Sequence, residues 1–123
     1  MPKKILLVDD SITTRLTNRT IIARRTTHDV VCAANGSEAL KLVASEKPDL
    51  ILMDVMMPGM DGLEVCRRLR KEHSTATLPI VLLTFRVDDG SVTQGFDSGC
   101  TAYLKKPLVE TQLLDTLRQY LGD

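Results

Sequence analysis

The sequence predicts a single α/β domain, in which helices cover both faces of a parallel β-sheet. Its 123 residues are the length of one domain with a buried core. Short apolar runs without polar alternation recur along the chain, as expected of strands that are buried on both faces. Segments with helical periodicity separate these runs, so strands and helices alternate in βαβ units with right-handed crossovers.

Five apolar runs are the predicted strands. They are rich in Val, Ile and Leu, and aromatic residues make up only 3% of the chain, so we expect an aliphatic core. Most of the runs end at a charged or hydroxyl-bearing residue. The predicted strands comprise residues 5–8, 30–34, 50–53, 80–83 and 102–104.

Amphipathic segments between and after these runs are the predicted helices. The first spans residues 12–24 after an N-cap at Ser11. Others begin at Gly36, at Asp61 and at Glu110. The expected apolar stripe of the first helix is Ile12, Leu16, Ala23 and either Ile21 or Ile22. The expected buried residues of the others are Ala39, Leu40, Val43, Leu63, Val65, Cys66, Leu69, Leu113, Leu114, Leu117 and Leu121.

The segment 88–98 is a weaker helix prediction. It contains Gly90 and Gly95 but no Ala or Leu, and each interior Gly costs about 1 kcal/mol relative to Ala in a helix. Gly99 lies where a left-handed C-terminal cap would be, which favours the helix. We expect this helix to be marginal and mobile.

Composition argues against several classes of protein. Lys plus Arg equals Asp plus Glu, at 16 each, which gives no reason to expect nucleic acid or an anionic membrane as the main partner. Cys32, Cys66 and Cys100 are odd in number and far apart, so we expect neither a disulfide framework nor a zinc site, even with His28 and His73. No apolar run is long enough to span a membrane and no signal peptide opens the chain, which predicts a cytoplasmic protein.

Polar residues at the strand ends form the candidate site. Asp9 and Asp10 follow the first strand, Asp54 the third and Thr84 the fourth, and Lys106 follows the fifth. In such a sheet, ligands bind outside the carboxyl ends of the strands. Three carboxylates there would repel one another unless a divalent cation such as Mg²⁺ were bound. The ammonium of Lys106 and the hydroxyl of Thr84 suit phosphoryl oxygens, and a carboxylate can form an aspartyl phosphate.

Each of these residues alone also has an ordinary structural explanation. Asp9 or Asp10 could cap the first helix, and Asp54 could open a turn into Met57-Pro58-Gly59. Thr84 is a common β-former, and Lys106 could be one of many solvated lysines. The functional interpretation depends on four strand ends that supply the residue types one reaction needs.

Four runs of sequence identify a resemblance. KKILLVDDS, PDLILMDVMMPGMDG, LPIVLLT and YLKKP closely resemble segments of the receiver domains of bacterial two-component response regulators, in order and spacing, over nearly the whole chain. The resemblance implies that residues 1–123 form one receiver domain. It also implies the flavodoxin-like (βα)5 three-layer sandwich, with a parallel sheet of order 2-1-3-4-5.

The resemblance further implies a phosphorylation and metal site. Asp54 matches the phosphoacceptor and Asp10 the direct metal ligand. Asp9 matches the second acid, which is often bonded through a metal-bound water, and the carbonyl of Met56 matches a backbone ligand. The expected metal is Mg²⁺, for which Mn²⁺ can substitute.

Residues of the last two strands match the switch. Thr84 and Lys106 match the hydroxyl and the ammonium that meet the phosphoryl group, so Lys105 lies outside the motif. Tyr103 matches the aromatic residue whose rotamer follows the state of Thr84. The Lys106–Pro107 bond is expected to be cis.

Three positions near the site, together with the weak helix 88–98, depart from the common pattern. Phe85 stands where the family usually keeps Ala, Gly or Ser, and we expect its ring to narrow access to Asp54 or to block the inward position of Tyr103. Met56 and Arg86 occupy positions that commonly modulate how water reaches the phosphoryl group. We hypothesise that Met56 slows hydrolysis and that Arg86 forms a local ion pair or reaches the phosphoryl oxygens.

The implied function is a stand-alone phosphoacceptor switch rather than an enzyme with a separate substrate. It needs a sensor histidine kinase or a histidine phosphotransfer protein as donor and a downstream protein target, with a phosphorylation-linked dimer as a further possibility. The helix 4–strand 5–helix 5 face is expected to change. We expect no direct contact with nucleic acid and no membrane insertion.

Three alternatives are weighed against this function. A pseudo-receiver that binds partners without phosphorylation is favoured only by Phe85. A metal-dependent phosphatase normally carries an acid two residues past its nucleophile, where this chain has Met56. An FMN-binding flavodoxin is disfavoured because Asp9 and Asp10 would repel the phosphate.

Overall fold

The structure, a computed structural model, describes residues 2–122, which form a five-stranded sheet with five α-helices. None of the helices in this range combines the length and the apolar character that a membrane span requires. The strands are β1 (Lys4–Val8), β2 (Asp29–Ala33), β3 (Leu50–Asp54), β4 (Ile80–Thr84) and β5 (Ala102–Lys105). The helices are α1 (Ile12–Arg25), α2 (Gly36–Glu46), α3 (Gly62–Lys71), α4 (Asp89–Asp97) and α5 (Glu110–Leu121), and a 3₁₀ turn (His73–Thr75) follows α3.

The sheet is parallel, with strand order β2-β1-β3-β4-β5, which confirms the predicted architecture. The chain leaves β1 toward one side for β2 and crosses to the other side for β3. The crevice at such a reversal of strand order is where open α/β sheets bind ligands. Register places Asp54 beside Leu83 and Thr84 beside Lys105, so these residues share the carboxyl edge.

Strand β2 lies one residue earlier than predicted. Asp29 enters the strand because its N–H donates to the carbonyl of Lys3 at 2.9 Å. Ala34 leaves it because its N–H donates to the carboxylate of Glu38 at 3.0 Å, in the first turn of α2. Ala34 therefore lies outside β2 and begins the turn into α2.

Two apolar clusters form the core, one on each face of the sheet. Successive residues of β1, β3 and β4 belong to opposite clusters, as the two-residue period of a strand requires. All five residues of β3 and of β4 are buried, which agrees with apolar runs that lack polar alternation. One cluster includes Leu6, Val8, Ile51, Met53, Ile80 and Leu82, and the other includes Ile5, Leu7, Leu50, Leu52, Val81 and Leu83.

The predicted apolar stripe of α1 is wrong at three of its four positions and correct at Ile22. Ile12 is 64% exposed and Leu16 is 57% exposed, and Ala23 is also exposed. The buried residues are Asn18 and Ile22. The face of α1 that borders the Asp54 cleft carries Thr14, Thr17 and Asn18. Ile12 and Leu16 are not among the residues that line this cleft, and they lie toward solvent.

Helix α4 forms as predicted despite its two glycines, and both of its ends are tied down. Asp88 is the N-cap, and its Oδ1 accepts from the N–H of Ser91 at 2.9 Å. Gly99 has φ +102° and follows the helix in the left-handed region. The guanidinium of Arg70 donates to the carbonyl of Gly99 at 2.7 Å and to the hydroxyl of Thr101 at 3.1 Å. The mobility expected of this helix stays a prediction.

Candidate functional site

The predicted site residues meet at the carboxyl edge of the sheet. Asp9 follows β1, Asp54 is the last residue of β3, Thr84 is the last residue of β4 and Lys106 follows β5. One carboxylate oxygen from each of Asp9, Asp10 and Asp54 can be chosen so that all three lie within 4.8 Å of one another. The convergence of the three acids, which the sequence predicts from the topology alone, is therefore present.

Lys106 joins two of the acids. Its Nζ lies 2.8 Å from Asp9 Oδ2 and 3.1 Å from Asp54 Oδ2, and all three side chains are buried. Burial alone would lower the pKa of Lys106, but its hydrogen bond to Asp9 and the charge of Asp54 outweigh burial and raise that pKa. The ammonium therefore stays charged and fixed between the two carboxylates. The Lys106–Pro107 peptide bond is cis.

Asp54 is held from two sides. Its Oδ1 accepts from the N–H of Met56 at 3.3 Å, and its Oδ2 faces Lys106. Burial raises the pKa of Asp54, the charge and hydrogen bond of Lys106 oppose the rise, and the negative charge of Asp9 adds to it, so that the pKa is above its usual value. One ammonium does not fully offset the burial and repulsion, and a bound divalent cation would supply the missing positive charge.

Asp9 and Asp10 differ in how they are engaged. Asp9 Oδ1 accepts from the N–H of Ser11 at 2.9 Å and its Oδ2 accepts from Lys106, so both of its oxygens have protein partners. Asp10 is exposed at the rim. Oxygen donors of this kind fit a hard cation such as Mg²⁺, which keeps several waters and takes few carboxylates. Asp54 also has partners on both oxygens, so exposed Asp10 is the acid whose oxygens are most available to such an ion.

Thr84 and Tyr103 both contact the backbone of Arg86. The Oγ1 of buried Thr84 accepts from the N–H of Arg86 at 3.0 Å, and the hydroxyl of Tyr103 donates to the carbonyl of Arg86 at 2.9 Å. Burial raises the pKa of Tyr103, and a hydrogen bond with Thr84 opposes that rise. The two side chains also line one small cavity of about 170 Å³ below α4. Thr84 and Tyr103 are therefore neighbours, as the predicted switch pair requires.

Phe85 lies on the Asp54 side of Thr84. It is 71% exposed, and its ring centroid is 5.7 Å from the Nζ of Lys106, within the range of a cation–π interaction. With Asp54 and Met56 it lines a cleft of about 440 Å³ that also runs along α1. Its effect on access to Asp54 stays a prediction, as does its effect on Tyr103.

Two features of the site were missed by sequence reasoning. One is the stacking of Phe85 over Lys106. The other is Gly62, whose missing side chain lets the backbone of α3 pass against the carbonyl of Asp54, with the Gly62 N–H donating to Val55 at 2.9 Å. A glycine at the first position of a helix, directly after the N-cap Asp61, is a signal that could have indicated this close approach.

The hypothesis of a local ion pair for Arg86 is wrong for this structure. None of the ion pairs formed between residues 2 and 122 includes its guanidinium. Arg86 is exposed and lines the cavity of Thr84 and Tyr103. A contact of its side chain with phosphoryl oxygens stays a hypothesis.

Comparison with known proteins gives a consistent set of similarities. Residues 5–118 match the family model described as response regulator receiver domain. The transcriptional regulatory protein AfsQ1 of Streptomyces coelicolor is 47% identical over 116 residues, which cover 94% of this chain but 48% of AfsQ1. The chain therefore spans about half the length of that relative.

Solved structures agree with the sequence similarity. Chemotaxis protein CheY4 of Vibrio cholerae superposes with a TM-score of 0.92 at 33% identity, covering 98% of this chain and 100% of that one. The receiver domain of sensor histidine kinase PA1611 from Pseudomonas aeruginosa superposes with a TM-score of 0.90 at 26% identity, over the full length of both chains. That structure holds a magnesium ion coordinated in its active site cleft.

Proposed function

The chain belongs to the response regulator receiver domain family, and on this premise we propose that residues 1–123 form one receiver domain that takes a phosphoryl group from a kinase histidine onto Asp54. The observation that carries the proposal is the placement of buried Asp54 beside the Lys106 ammonium, which it shares with Asp9, and within reach of Asp10. A pseudo-receiver has no need for this whole constellation, so the alternative is not favoured.

A divalent metal, Mg²⁺ with Mn²⁺ as a substitute, completes the proposed site. Asp10, Asp54 and the carbonyl of Met56 would hold it directly, and Asp9 would act through metal-bound water. When bound, the ion supplies the positive charge that offsets the carboxylates and the phosphoryl oxygens. The magnesium ion in the related PA1611 receiver domain supports this assignment.

The proposed transfer is a displacement at phosphorus. An oxygen of Asp54 forms the new P–O bond while the P–N bond to the kinase imidazole breaks, and the imidazole keeps the electron pair. Lys106 is already beside Asp54 and would accompany the phosphoryl oxygens, while Thr84 would turn its hydroxyl from Arg86 to another of them. Preorganised charge does the catalytic work, with no turnover of a separate substrate.

The partners follow from the proposed chemistry. The phosphoryl donor is a sensor histidine kinase or a histidine phosphotransfer protein. The downstream target is a protein that binds the α4–β5–α5 face. We propose that the chain acts in the cytoplasm without direct contact to nucleic acid and that phosphorylation can promote a dimer.

The test is phosphorylation by a small donor. Incubation with acetyl phosphate and Mg²⁺ should add the mass of one phosphoryl group to the intact chain, and a metal chelator should prevent the gain. Asp54→Asn should abolish it, whereas Asp97→Asn, a change at an exposed position on α4, should leave it intact. A parent chain that gains no mass from this donor or from any histidine kinase would instead favour the pseudo-receiver.

A further inference from the structure

Helix α4 contains two glycines that lie in different surroundings. A Cβ at Gly90 would contact only the carboxylate of Asp88, at 3.5 Å, in an exposed first turn. A Cβ at Gly95 would lie 2.7 Å and 2.8 Å from Cε2 and Cδ2 of the Tyr103 ring. These distances are shorter than Cβ atoms in proteins keep from non-bonded atoms. Gly95 is buried, so the ring of Tyr103 occupies the space that any other residue at this position would fill.

Tyr103 connects α4 to the candidate site through hydrogen bonds. Its hydroxyl donates to the carbonyl of Arg86 at 2.9 Å, and the N–H of Arg86 donates to Thr84 Oγ1 at 3.0 Å. The carbonyl of Thr84 accepts from the N–H of Lys106 at 2.7 Å. A continuous series of contacts therefore runs from Gly95 through Tyr103 and Arg86 to the residues beside Asp54.

We propose that Gly95 is a positioning residue that keeps the Tyr103 ring between α4 and Thr84 and thereby couples α4 to the Asp54 site. The helix tolerates glycine here because its capped ends offset the lower helix propensity. A methyl group at position 95 forces the half-buried ring toward solvent and breaks its bond to Arg86. The coupling to Asp54 rests on the proposed function, whereas the positioning of the ring does not.

Breaking that bond affects ligand binding through the segment from Thr84 to Asp88. The Tyr103 hydroxyl ties this segment to β5 at the carbonyl of Arg86. Without it the segment becomes less ordered, and a phosphoryl group that engages Thr84 must order it again. Part of the binding free energy is then lost.

The first experiment measures folding by urea denaturation in a cycle of variants. Gly90→Ala should raise the folding equilibrium constant by up to about fivefold, the usual gain in helix propensity. Gly95→Ala should lower it, because the methyl group collides with Tyr103. In a Tyr103→Ala background the same Gly95→Ala change should become favourable, since the remaining neighbour, Cys100 Sγ, would be at an ordinary 3.6 Å.

The second experiment measures the affinity of beryllium fluoride with Mg²⁺, a phosphoryl analogue, by calorimetry. Gly95→Ala should weaken it by at least about fivefold, the lower end of coupling between sites in allosteric proteins. Gly90→Ala should leave it unchanged. In the Tyr103→Ala background, Gly95→Ala should have no further effect, a pattern that general destabilisation does not produce.

The outcomes separate the two proposals. If Gly95→Ala and Gly90→Ala have equal effects on folding, Gly95 does not position Tyr103. If folding responds as expected but the affinity for beryllium fluoride does not, the coupling to Asp54 is wrong. If the parent chain does not bind beryllium fluoride and is not phosphorylated, the proposed function fails, and the folding cycle still decides whether Gly95 positions the ring.

Discussion

Lys106 and a metal ion bound as proposed would share the Asp54 carboxylate. The ammonium lies 2.8 Å from Asp9 Oδ2 and 3.1 Å from Asp54 Oδ2. A divalent cation beside Asp54 would share this carboxylate with the ammonium, and a divalent and a monovalent charge about 4 Å apart repel by roughly 2–8 kcal/mol, depending on the local dielectric. Lys106 should therefore weaken metal binding while it assists phosphoryl transfer.

Replacement of Lys106 should separate these two effects. Lys106→Met should tighten Mg²⁺ binding by at least about tenfold, because a repulsion that exceeds this amount is removed, and should abolish phosphorylation by acetyl phosphate. Lys105→Met is the matched control, because Lys105 is adjacent but exposed on the outside of β5. Titration calorimetry gives the Mg²⁺ affinity, and equal effects of the two variants would contradict the role given to Lys106.

Met56 and Arg86 should set how long the phosphoryl group survives. The Met56 side chain is 67% exposed and lines the same cleft as Asp54, so we expect its apolar atoms to hinder the approach of water. Met56→Asn should shorten the lifetime of the aspartyl phosphate by about tenfold, or about 1.4 kcal/mol in the activation free energy. Arg86→Ala should also shorten it if the guanidinium reaches the phosphoryl oxygens.

The lifetime is measured by release of inorganic phosphate after the donor is removed. Val87→Asn provides a control, because Val87 is exposed and borders neither the Asp54 cleft nor the cavity of Thr84 and Tyr103. Unchanged lifetimes in both Met56→Asn and Arg86→Ala would reject the hypothesis for both positions.

The position of the site residues could be predicted from the sequence, but their orientation could not. Asp9, Asp54 and Thr84 end neighbouring strands, and parallel topology brings strand ends to one edge whatever the side chains do. Which carboxylate oxygen accepts from Lys106, and that Phe85 covers its ammonium, depend on rotamers that are selected only by the folded surroundings.

At the scale of a helix, α1 illustrates where apolar periodicity misleads. Ile12 and Leu16 are four residues apart and suggest one buried face, yet both are exposed. The pattern reports which residues share a face but not which face meets the sheet. In α1 the buried positions are Asn18 and Ile22, and Ile22 is the one that belongs to the apolar core.

The difference in burial predicts that truncation to Ala destabilises the fold at Ile22 but hardly at Leu16. Ile22→Ala should lower the free energy of unfolding by about 2–5 kcal/mol, as expected when a fully buried side chain leaves a cavity. Leu16→Ala should change it by less than about 0.5 kcal/mol, because the side chain is largely solvated. Urea denaturation measures both, and a large loss for Leu16→Ala would show that the predicted stripe was correct after all.

At the scale of the whole molecule, the two-sided core determines which cysteine thiols are accessible to reagents in the solvent. Cys66 and Cys100 are buried within the same apolar cluster, whereas Cys32 is half-buried in β2 at the edge of the sheet. Burial raises the pKa of the Cys66 thiol, and burial also raises the pKa of Cys100 from 9.0 to about 11. Both thiols should therefore stay protonated and unreactive near neutral pH.

Thiol labelling should thus report unfolding of the entire domain. With iodoacetamide at pH 8, Cys32 should react first, and Cys66 and Cys100 should react together only when the chain unfolds. Mass spectrometry of peptides counts the labels, and added urea should accelerate the two buried sites in parallel with the loss of helical circular dichroism. Rapid labelling of Cys100 in the folded state would show that the end of α4 opens locally instead.

The same thiol predicts a loss of stability at alkaline pH. Well below pH 9, Cys100 is protonated in both the folded and the unfolded chain, so it adds no pH dependence there. As the pH rises from 9.0 toward about 11, the unfolded chain ionises at this thiol while the folded chain does not, and ionisation therefore favours unfolding. Cys100→Ala removes the titrating group, so the free energy of unfolding should fall less steeply over this range in the variant than in the parent. Identical slopes would mean that Cys100 is more exposed to solvent than its position beneath α4 implies.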